Sequence, residues 1–312
     1  MSLHHVILGG SGVVGRETAA ALRAADQNVT VVRRSPDPES GPGAPVVSAD
    51  LRDLDDAIRA VRGAEVVYLV LGLPYRLAVW RRDWPRVVEN VIAAAKVEGA
   101  HLVYFDNVYA YGKVDGPMTE DSPIRPSSRK GEIRAALLQQ LEVGHERGLE
   151  LTVARSADFY GPGASTSAFN SMALDPVARG KEPTWLIDAT LPHSMTYTPD
   201  IGAALAILGT DDRARGKVWH IPTAPALTGE EYLTLATGGG LRHRTISLGT
   251  MRLGAPFVAV AREALELSYQ NSRPYVFDSS RFESTFSMAA TPYEVGIVRA
   301  LEESRRVASA TG

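Results

Sequence analysis

The 312-residue chain has no cysteine. That excludes disulfides, thiolate nucleophiles and cysteine zinc sites, and it suits a reducing compartment. Long apolar runs are also missing. The longest, such as VVYLVLGL, are strand length and far short of a bilayer span. The N-terminus MSLHHVILGGSG lacks a charged segment followed by an apolar stretch, so no secretion signal is expected there, and the reading is a soluble cytoplasmic protein. A strong charge of either sign is absent as well. The formal net charge is −3, which gives no reason to expect nucleic acid or an anionic membrane as partner. The seven histidines show no metal-ligand spacing, and neither H-E-x-x-H nor G-x-S-x-G occurs, so no metal site and no serine hydrolase is expected. There is no internal repeat and no low-complexity segment.

What is present is an alternation of strand and helix signals. HHVILGG, NVTVVRR, PVVSAD, VVYLVLG, HLVYF and LELTVAR read as strands. Between them lie the helical patterns GVVGRETAAALRAAD, LDDAIRAVRGA with Asp53 as N-cap, DWPRVVENVIAAAKVEG with Pro85 near its start, and SSRKGEIRAALLQQLEVGHERG with Ile133, Leu137 and Leu141 on one stripe. Breaker-rich loops stand at SPDPESGPGAP and at KVDGPMTEDSPIRPSS, the latter with Pro117, Pro123 and Pro126. Val, Ile and Leu strands separated by helices predict an α/β protein: a Rossmann-type doubly wound parallel sheet covered on both faces. The later part gives shorter signals: helices near DIGAALAILG, GEEYLTLATG, PFVAVAREALELSYQ and TPYEVGIVRALEESRR, and a strand at KVWHIP. The expected division is a dinucleotide-binding domain over 1–160 and a smaller substrate-binding lobe over 161–312, with some segments of the latter returning to the first domain.

GGSGVVG sets Gly9, Gly12 and Gly15 three apart, directly after a strand and opening a helix. The first glycine permits the tight turn, the second lets a pyrophosphate approach the backbone, and the third lets helix and strand pack closely. The helix N-terminus supplies amide donors. At the end of the second strand, where an acid would bind the ribose of NAD, stand Arg33 and Arg34. Guanidinium groups suit a 2′-phosphate, so NADP(H) is favoured, with NAD(H) as the alternative and a solvated strand end as the bland one. Asp50 and Leu51 close the third strand. Asp50 is placed either to meet the adenine amino group or to cap the next helix.

These residues carry a resemblance. The glycine loop, Asp50-Leu51, the fifth strand running into NVYAYG, the later ADFYGPG, TYTPDIGAAL around Asp200 and YVFDSSRF around Asp278 together resemble the extended short-chain dehydrogenase/reductase superfamily, in its NAD-dependent epimerase/dehydratase-like branch. The resemblance implies a Rossmann sheet plus a substrate lobe. It implies cofactor contacts from Gly9, Ser11, Gly12, Val13, Val14, Gly15, Arg33, Arg34, Asp50, Leu51, Leu71, Gly72, Lys130 and Tyr160, and substrate contacts from Tyr75, Asp158 and His193. It also implies a homodimer formed through the helices at Trp84–Val97 and Ser128–Val143.

Typical members use a Ser or Thr shortly before a Tyr-Gly pair, and a Tyr-x-x-x-Lys pair on the next helix, where the lysine shifts a phenol that is otherwise a poor acid at neutral pH. Here those places hold Asn107, Lys130 and Arg134. The candidate catalytic set is therefore Asn107 as an oxyanion-type partner, Tyr109 as a spare phenol, and Lys130 and Arg134, four apart on one helical face. For each there is a bland alternative: Asn107 satisfying the loop backbone, and the two cations forming a solvated face. Asp106 is read as a turn cap. Tyr111 and His220 are read as packing. The main expectation is an NADP(H)-dependent oxidoreductase acting on a carbonyl or conjugated carbonyl of a small organic molecule. The alternatives are a cofactor-retaining epimerase, dehydratase or isomerase, possibly on a nucleotide sugar, and a non-catalytic NADP sensor.

Overall fold

The computed structural model describes residues 3–34, 45–240 and 242–310. The breaker-rich loop expected at 35–45 lies, up to residue 44, outside them. The chain forms two compact units. The first comprises 1–110, 129–155 and 201–219; the second comprises 111–128, 156–200 and 220–312. The division thus differs from a cut at residue 160. The 113–128 loop and the segment after Arg155 belong to the second unit, whereas 201–219 returns to the first because its strand joins the central sheet.

The first unit is built from β1 (His4–Leu8), α1 (Val13–Ala24), β2 (Asn28–Arg33), β3 (Val46–Ser48), α2 (Leu54–Ala60), β4 (Val66–Leu69), α3 (Leu77–Glu98), β5 (His101–Asp106), α4 (Arg129–Glu146) and β6 (Leu151–Arg155). Among the described residues its sheet has seven strands, in the order Val218–His220, β6, β5, β4, β1, β2, β3. β1 to β6 pair in parallel. The order reverses between β1 and β4, and ligands of open α/β sheets bind at the carboxyl ends of strands that flank such a reversal. Register aligns those ends. Leu8 pairs with both Val32 and Leu69, Leu69 with Tyr104, and Asp106 with Arg155. Gly9, Leu71 and Asn107 therefore leave the sheet along one edge.

Strands β1, β2, β4 and β6 are buried along nearly their whole length, as Val, Ile and Leu runs demand when helices cover both faces. One side packs Leu69, Trp84, Val88, Leu102, Tyr104, Leu137 and Leu141 into a single core. Asp53 caps α2 as expected, accepting from the Asp56 amide at 3.0 Å. α3 begins at Leu77, so Pro85 sits inside the helix and not at its start. The proline removes one i→i−4 bond there, a cost met by the burial of Trp80, Trp84, Val87 and Val88 on either side of it. Gly99 ends α3 in the left-handed conformation, φ 66°.

The second unit has short strand pairs, Asp158–Tyr160 with Met195–Tyr197, Pro192–His193 with Leu227–Thr228, and Thr184–Leu186 with Arg244–Ile246. Its core is aromatic: Tyr160, Phe169, Trp185, Tyr197, Tyr232 and Tyr293 pack together. The helix Gly229–Thr237 starts with a reciprocal capping box between Thr228 and Glu231. PFVAVAREALELSYQ is not one helix. The helix covers Ala259–Leu265, and Ser268–Asn271 forms a 3-10 turn. A further helix, Leu248–Gly254, precedes it, capped by Ser247.

Candidate active site

Two of the three glycines are required by the chain itself. Gly9 has φ 107°, and a Cβ there would lie 2.6 Å from the Leu71 Cα. A Cβ on Gly15 would lie 2.6 Å from the Gly9 carbonyl oxygen and 2.7 Å from the Gly10 Cα. Gly12 differs. Its Cβ would meet the Gly9 oxygen at 3.5 Å, an ordinary contact. Its lack of a side chain therefore leaves space beside the start of α1, which Gly12 caps without any side-chain hydrogen bond. Ser11 is exposed, while Val13 and Val14 are buried and offer their backbone amides only. An open glycine at the uncapped N-terminus of a twelve-residue helix fits a dinucleotide pyrophosphate. Across the sheet reversal, Leu71 is half-buried against Gly9, and a Cβ on the exposed Gly72 would meet nothing within 4 Å.

At the other end of this edge, Arg33 is half-buried and Arg34 exposed. Asp50 does not cap α2, a role taken by Asp53. Its carboxylate instead accepts from Arg52 Nε at 2.9 Å and from the Arg52 amide at 3.1 Å, and the Arg52 guanidinium holds it down to about 2. Leu51 is buried, and its carbonyl accepts from Asn90 Nδ2 at 3.0 Å.

Beyond β4 and β5 lies a cluster of cations and aromatic rings. Trp80 and Trp84 on α3 face Lys130 and Arg134 on α4, each pair four residues apart and so on one helical face. Lys130 has no exposed surface, and its Nζ lies 4.5 Å from the centre of the Tyr75 ring. Tyr75 meets Trp80 edge-on, and Trp80 stacks on Tyr109. The Arg134 guanidinium lies between two indoles, 4.3 Å from Trp84 and 4.8 Å from Trp80. Its Nη1 donates to Tyr104 Oη at 2.7 Å and stands 3.6 Å from Asp106 Oδ1. Arg155 Nε is 3.5 Å from the other Asp106 oxygen.

These contacts correct two readings. Neither cation belongs to a solvated face, because both side chains are buried. Asp106 is no turn cap: its carboxylate is enclosed between two guanidinium groups, the way a buried charge is ordinarily compensated. The Arg134 guanidinium is engaged by Trp80, Trp84, Tyr104 and Asp106. Asn107 is half-buried, and its Oδ1 accepts from the Tyr109 amide at 2.9 Å, which fixes the turn and orients the side-chain amide. Sequence reasoning missed Trp80, Trp84, Tyr104 and Arg155. The matching four-residue spacings of the two tryptophans and the two cations were the available signal.

In the second unit, His193 Nε2 and Asp158 Oδ2 are 3.0 Å apart, and the imidazole stacks on Tyr275 at 4.4 Å. The structure thus joins these two expected substrate residues. Tyr160 is different: it is fully enclosed among Phe169, Tyr197 and Tyr293, and a Cβ on Gly296 would press on its ring at 3.0 Å. A phenol so enclosed belongs to the core of the second unit, whereas the resemblance implied a cofactor contact there. Tyr111 and His220 are packing, as expected. The Tyr111 hydroxyl and His220 Nε2 are 2.8 Å apart, and His220 Nδ1 donates to the Asp278 carbonyl at 2.7 Å.

A model of the NAD dependent epimerase/dehydratase family matches residues 5–221. The chain belongs to that family. It is an enzyme of the epimerase/dehydratase family with a Rossmann sheet. No curated protein sequence matches it. Several solved structures share the fold over nearly the full length of both chains. MoeE5 in complex with UDP-glucose and NAD is 23% identical, with a TM-score of 0.79 and coverage of 98% of this chain and 99% of that one. The UDP-glucose 4-epimerase of Thermus thermophilus complexed with NAD is 19% identical, with a TM-score of 0.79 and coverage of 97% and 99%. The UDP-N-acetylglucosamine 4-epimerase of Bacillus cereus is 16% identical, with a TM-score of 0.77 and coverage of 98% and 96%.

The helix over Arg129–Glu146 carries Lys130 and Arg134, both buried. Among the described residues no helix is long and apolar enough to cross a membrane.

Proposed function

We propose that this enzyme holds a nicotinamide dinucleotide at the glycine loop and acts on a carbinol or carbonyl carbon of a small, sugar-like substrate, in an epimerisation, dehydration or isomerisation that returns the cofactor to its starting state. The observation that carries the reading is the open Gly12 at the uncapped start of α1. A bound nicotinamide supplies the acceptance and return of hydride. The protein residues do the rest. Asn107, oriented by its bond to the Tyr109 amide, donates its side-chain N–H to the substrate oxygen. Lys130 holds and moves the proton in place of the family's tyrosine, and Arg134 keeps the Lys130 turn of α4 in position through the two tryptophans. Tyr75 and Tyr109 wall the site. The NAD-bound epimerase and UDP-sugar structures of the same fold support a cofactor-retaining reaction.

A second reading is net NADP(H)-linked reduction of a carbonyl, which Arg33 and Arg34 favour through their fit to a 2′-phosphate. Denaturing the purified enzyme and assaying the released dinucleotide tests both. Retained cofactor, and turnover of a sugar nucleotide without net absorbance change at 340 nm, support the first reading. Stoichiometric NADPH consumption supports the second. Failure to bind either NADH or NADPH overturns both.

A further inference from the structure

The two most exposed large apolar side chains among the described residues are Phe257, at 89%, and Leu253, at 78%. They stand four residues apart, where the helix Leu248–Gly254 gives way to the helix Ala259–Leu265. Val258 beside them is exposed as well. The turn is tight: the Phe257 and Val258 amides both donate to the Gly254 carbonyl, at 3.0 and 2.9 Å. Met251 and Ala255 are buried and fix the inner side of this corner, so the fold itself turns Leu253, Phe257 and Val258 outward. Single exposed apolar residues are ordinary, whereas neighbouring ones mark a contact surface.

The charge around the corner has one sign. Residues 232–262 hold Arg242, Arg244, Arg252 and Arg262 and neither Asp nor Glu. All four arginines are exposed. Arg252 directly precedes Leu253, and Arg262 lies one helical turn beyond Val258, to whose carbonyl its amide donates at 3.1 Å. Arg244 is turned to Glu182 at 2.7 Å, whereas Arg252 and Arg262 have no carboxylate within ion-pair reach among the described residues. The formal net charge of −3 thus averages over a segment that is cationic by itself.

These features select an occupant. Side chains this exposed project from the surface, so the corner enters its partner and is no groove that receives one. A symmetric contact with a second copy would set Arg252 and Arg262 against their counterparts, with no acid in the segment to offset the repulsion. Single-stranded nucleic acid would take the arginines and one ring, and would leave Leu253 and Val258 in water. An anionic bilayer meets both needs, because its phosphate headgroups lie directly over hydrocarbon. Guanidinium groups match such phosphates well.

We propose that this corner docks the protein reversibly on an anionic lipid surface, with Leu253, Phe257 and Val258 inserted and Arg252 and Arg262 at headgroup level. The test sediments the full chain with vesicles of phosphatidylcholine alone and of phosphatidylcholine mixed with phosphatidylglycerol, at low and high salt. Binding is expected to the mixed vesicles at low salt, and about tenfold weaker at high salt or on the neutral vesicles. Leu253→Ala with Phe257→Ala lowers partitioning about tenfold or more. Arg252→Gln with Arg262→Gln lowers it about twentyfold, at about fivefold per charge. Melting temperatures stay at the wild-type value, because the changed side chains are exposed. Insertion is read by fluorescence. The four native tryptophans are buried, so brominated acyl chains are expected to quench Phe257→Trp and to leave the wild type unquenched. The proposal is overturned by no binding to mixed vesicles at low salt, by equal binding of variants and wild type, or by equal quenching of Phe257→Trp and wild type. A fall of several degrees in the melting temperature of the Leu253→Ala, Phe257→Ala protein also overturns it, since the corner would then be part of the folded core. So does a dimer, seen by light scattering, that this variant loses, which assigns the corner to a second copy. Single-stranded DNA bound through Arg252 and Arg262 without vesicle binding assigns it to nucleic acid and overturns it equally.

Discussion

The Lys130 ammonium lies 4.5 Å from the centre of the Tyr75 ring, and Lys130 is wholly buried whereas Tyr75 is 40% exposed. The ring thus covers a buried cation, the one proposed above to move the proton. Lys130→Met is expected to lower turnover about 100-fold or more, the usual contribution of a positioned acid or base, with a smaller loss of dinucleotide affinity from the cofactor contact that the resemblance implies for Lys130. Steady-state kinetics and a fluorescence titration measure the two. Turnover within tenfold of wild type would remove Lys130 from the chemistry.

Gly12 and Gly15 separate fold from function. Gly15→Ala would press a methyl group against backbone atoms at 2.6 and 2.7 Å that cannot easily move, so it lowers the melting temperature. Gly12→Ala meets its nearest neighbour at 3.5 Å and keeps the melting temperature, yet fills the space beside the helix start and loses dinucleotide binding. A Gly12→Ala protein that binds NADPH like wild type would refute the assignment of this loop.

Arg134→Met leaves Asp106 with Arg155 as its remaining guanidinium neighbour in a buried site. Breaking a buried pair from one side costs about 3–5 kcal/mol. Urea denaturation should show that loss, and Asp106→Leu in the same chain should recover much of it. Arg134→Lys is expected to behave as a loss as well, because an ammonium cannot reproduce the planar contact with two indoles and the bond to Tyr104.

His101 makes stability depend on pH. Thr152 Oγ1 donates to the Ala214 carbonyl, so it accepts from His101 Nε2, and the buried Nδ1 has no partner to receive a second proton. Burial pushes the imidazole down to about 4 from 6.5. The folded state favours the neutral ring, whereas the unfolded chain takes up a proton below 6.5. Stability from this group is therefore full above pH 6.5 and falls as pH drops toward 4, by about 3 kcal/mol in all. Comparing urea midpoints of wild type and His101→Gln at pH 7 and pH 4 checks this: the acid loss should be smaller in the variant.

The sheet and its glycine turn were legible because their causes are local. Val and Ile runs form strands, and GGSGVVG between strand and helix has one structural use. Asp53 as a cap and Tyr111 and His220 as packing were legible for the same reason. The burial of Lys130 and Arg134 and the enclosure of Asp106 and Tyr160 were not legible, because nothing local distinguishes a buried cation from a solvated one, or an enclosed phenol from one that meets a cofactor. Their partners lie far off in sequence: Trp80 and Trp84 are about fifty residues before Arg134, and Tyr293 lies far beyond Tyr160.

The sequence by itself determined the parallel α/β architecture and the glycine turn that opens its first helix, since hydrophobic period and glycine spacing need no third dimension. Tertiary structure decided the surroundings of Lys130 and Arg134. Burial and distance fix a charge's role, and they appear only once α3, α4 and β5 have packed to enclose Arg134 between two indoles and set Lys130 beneath Tyr75.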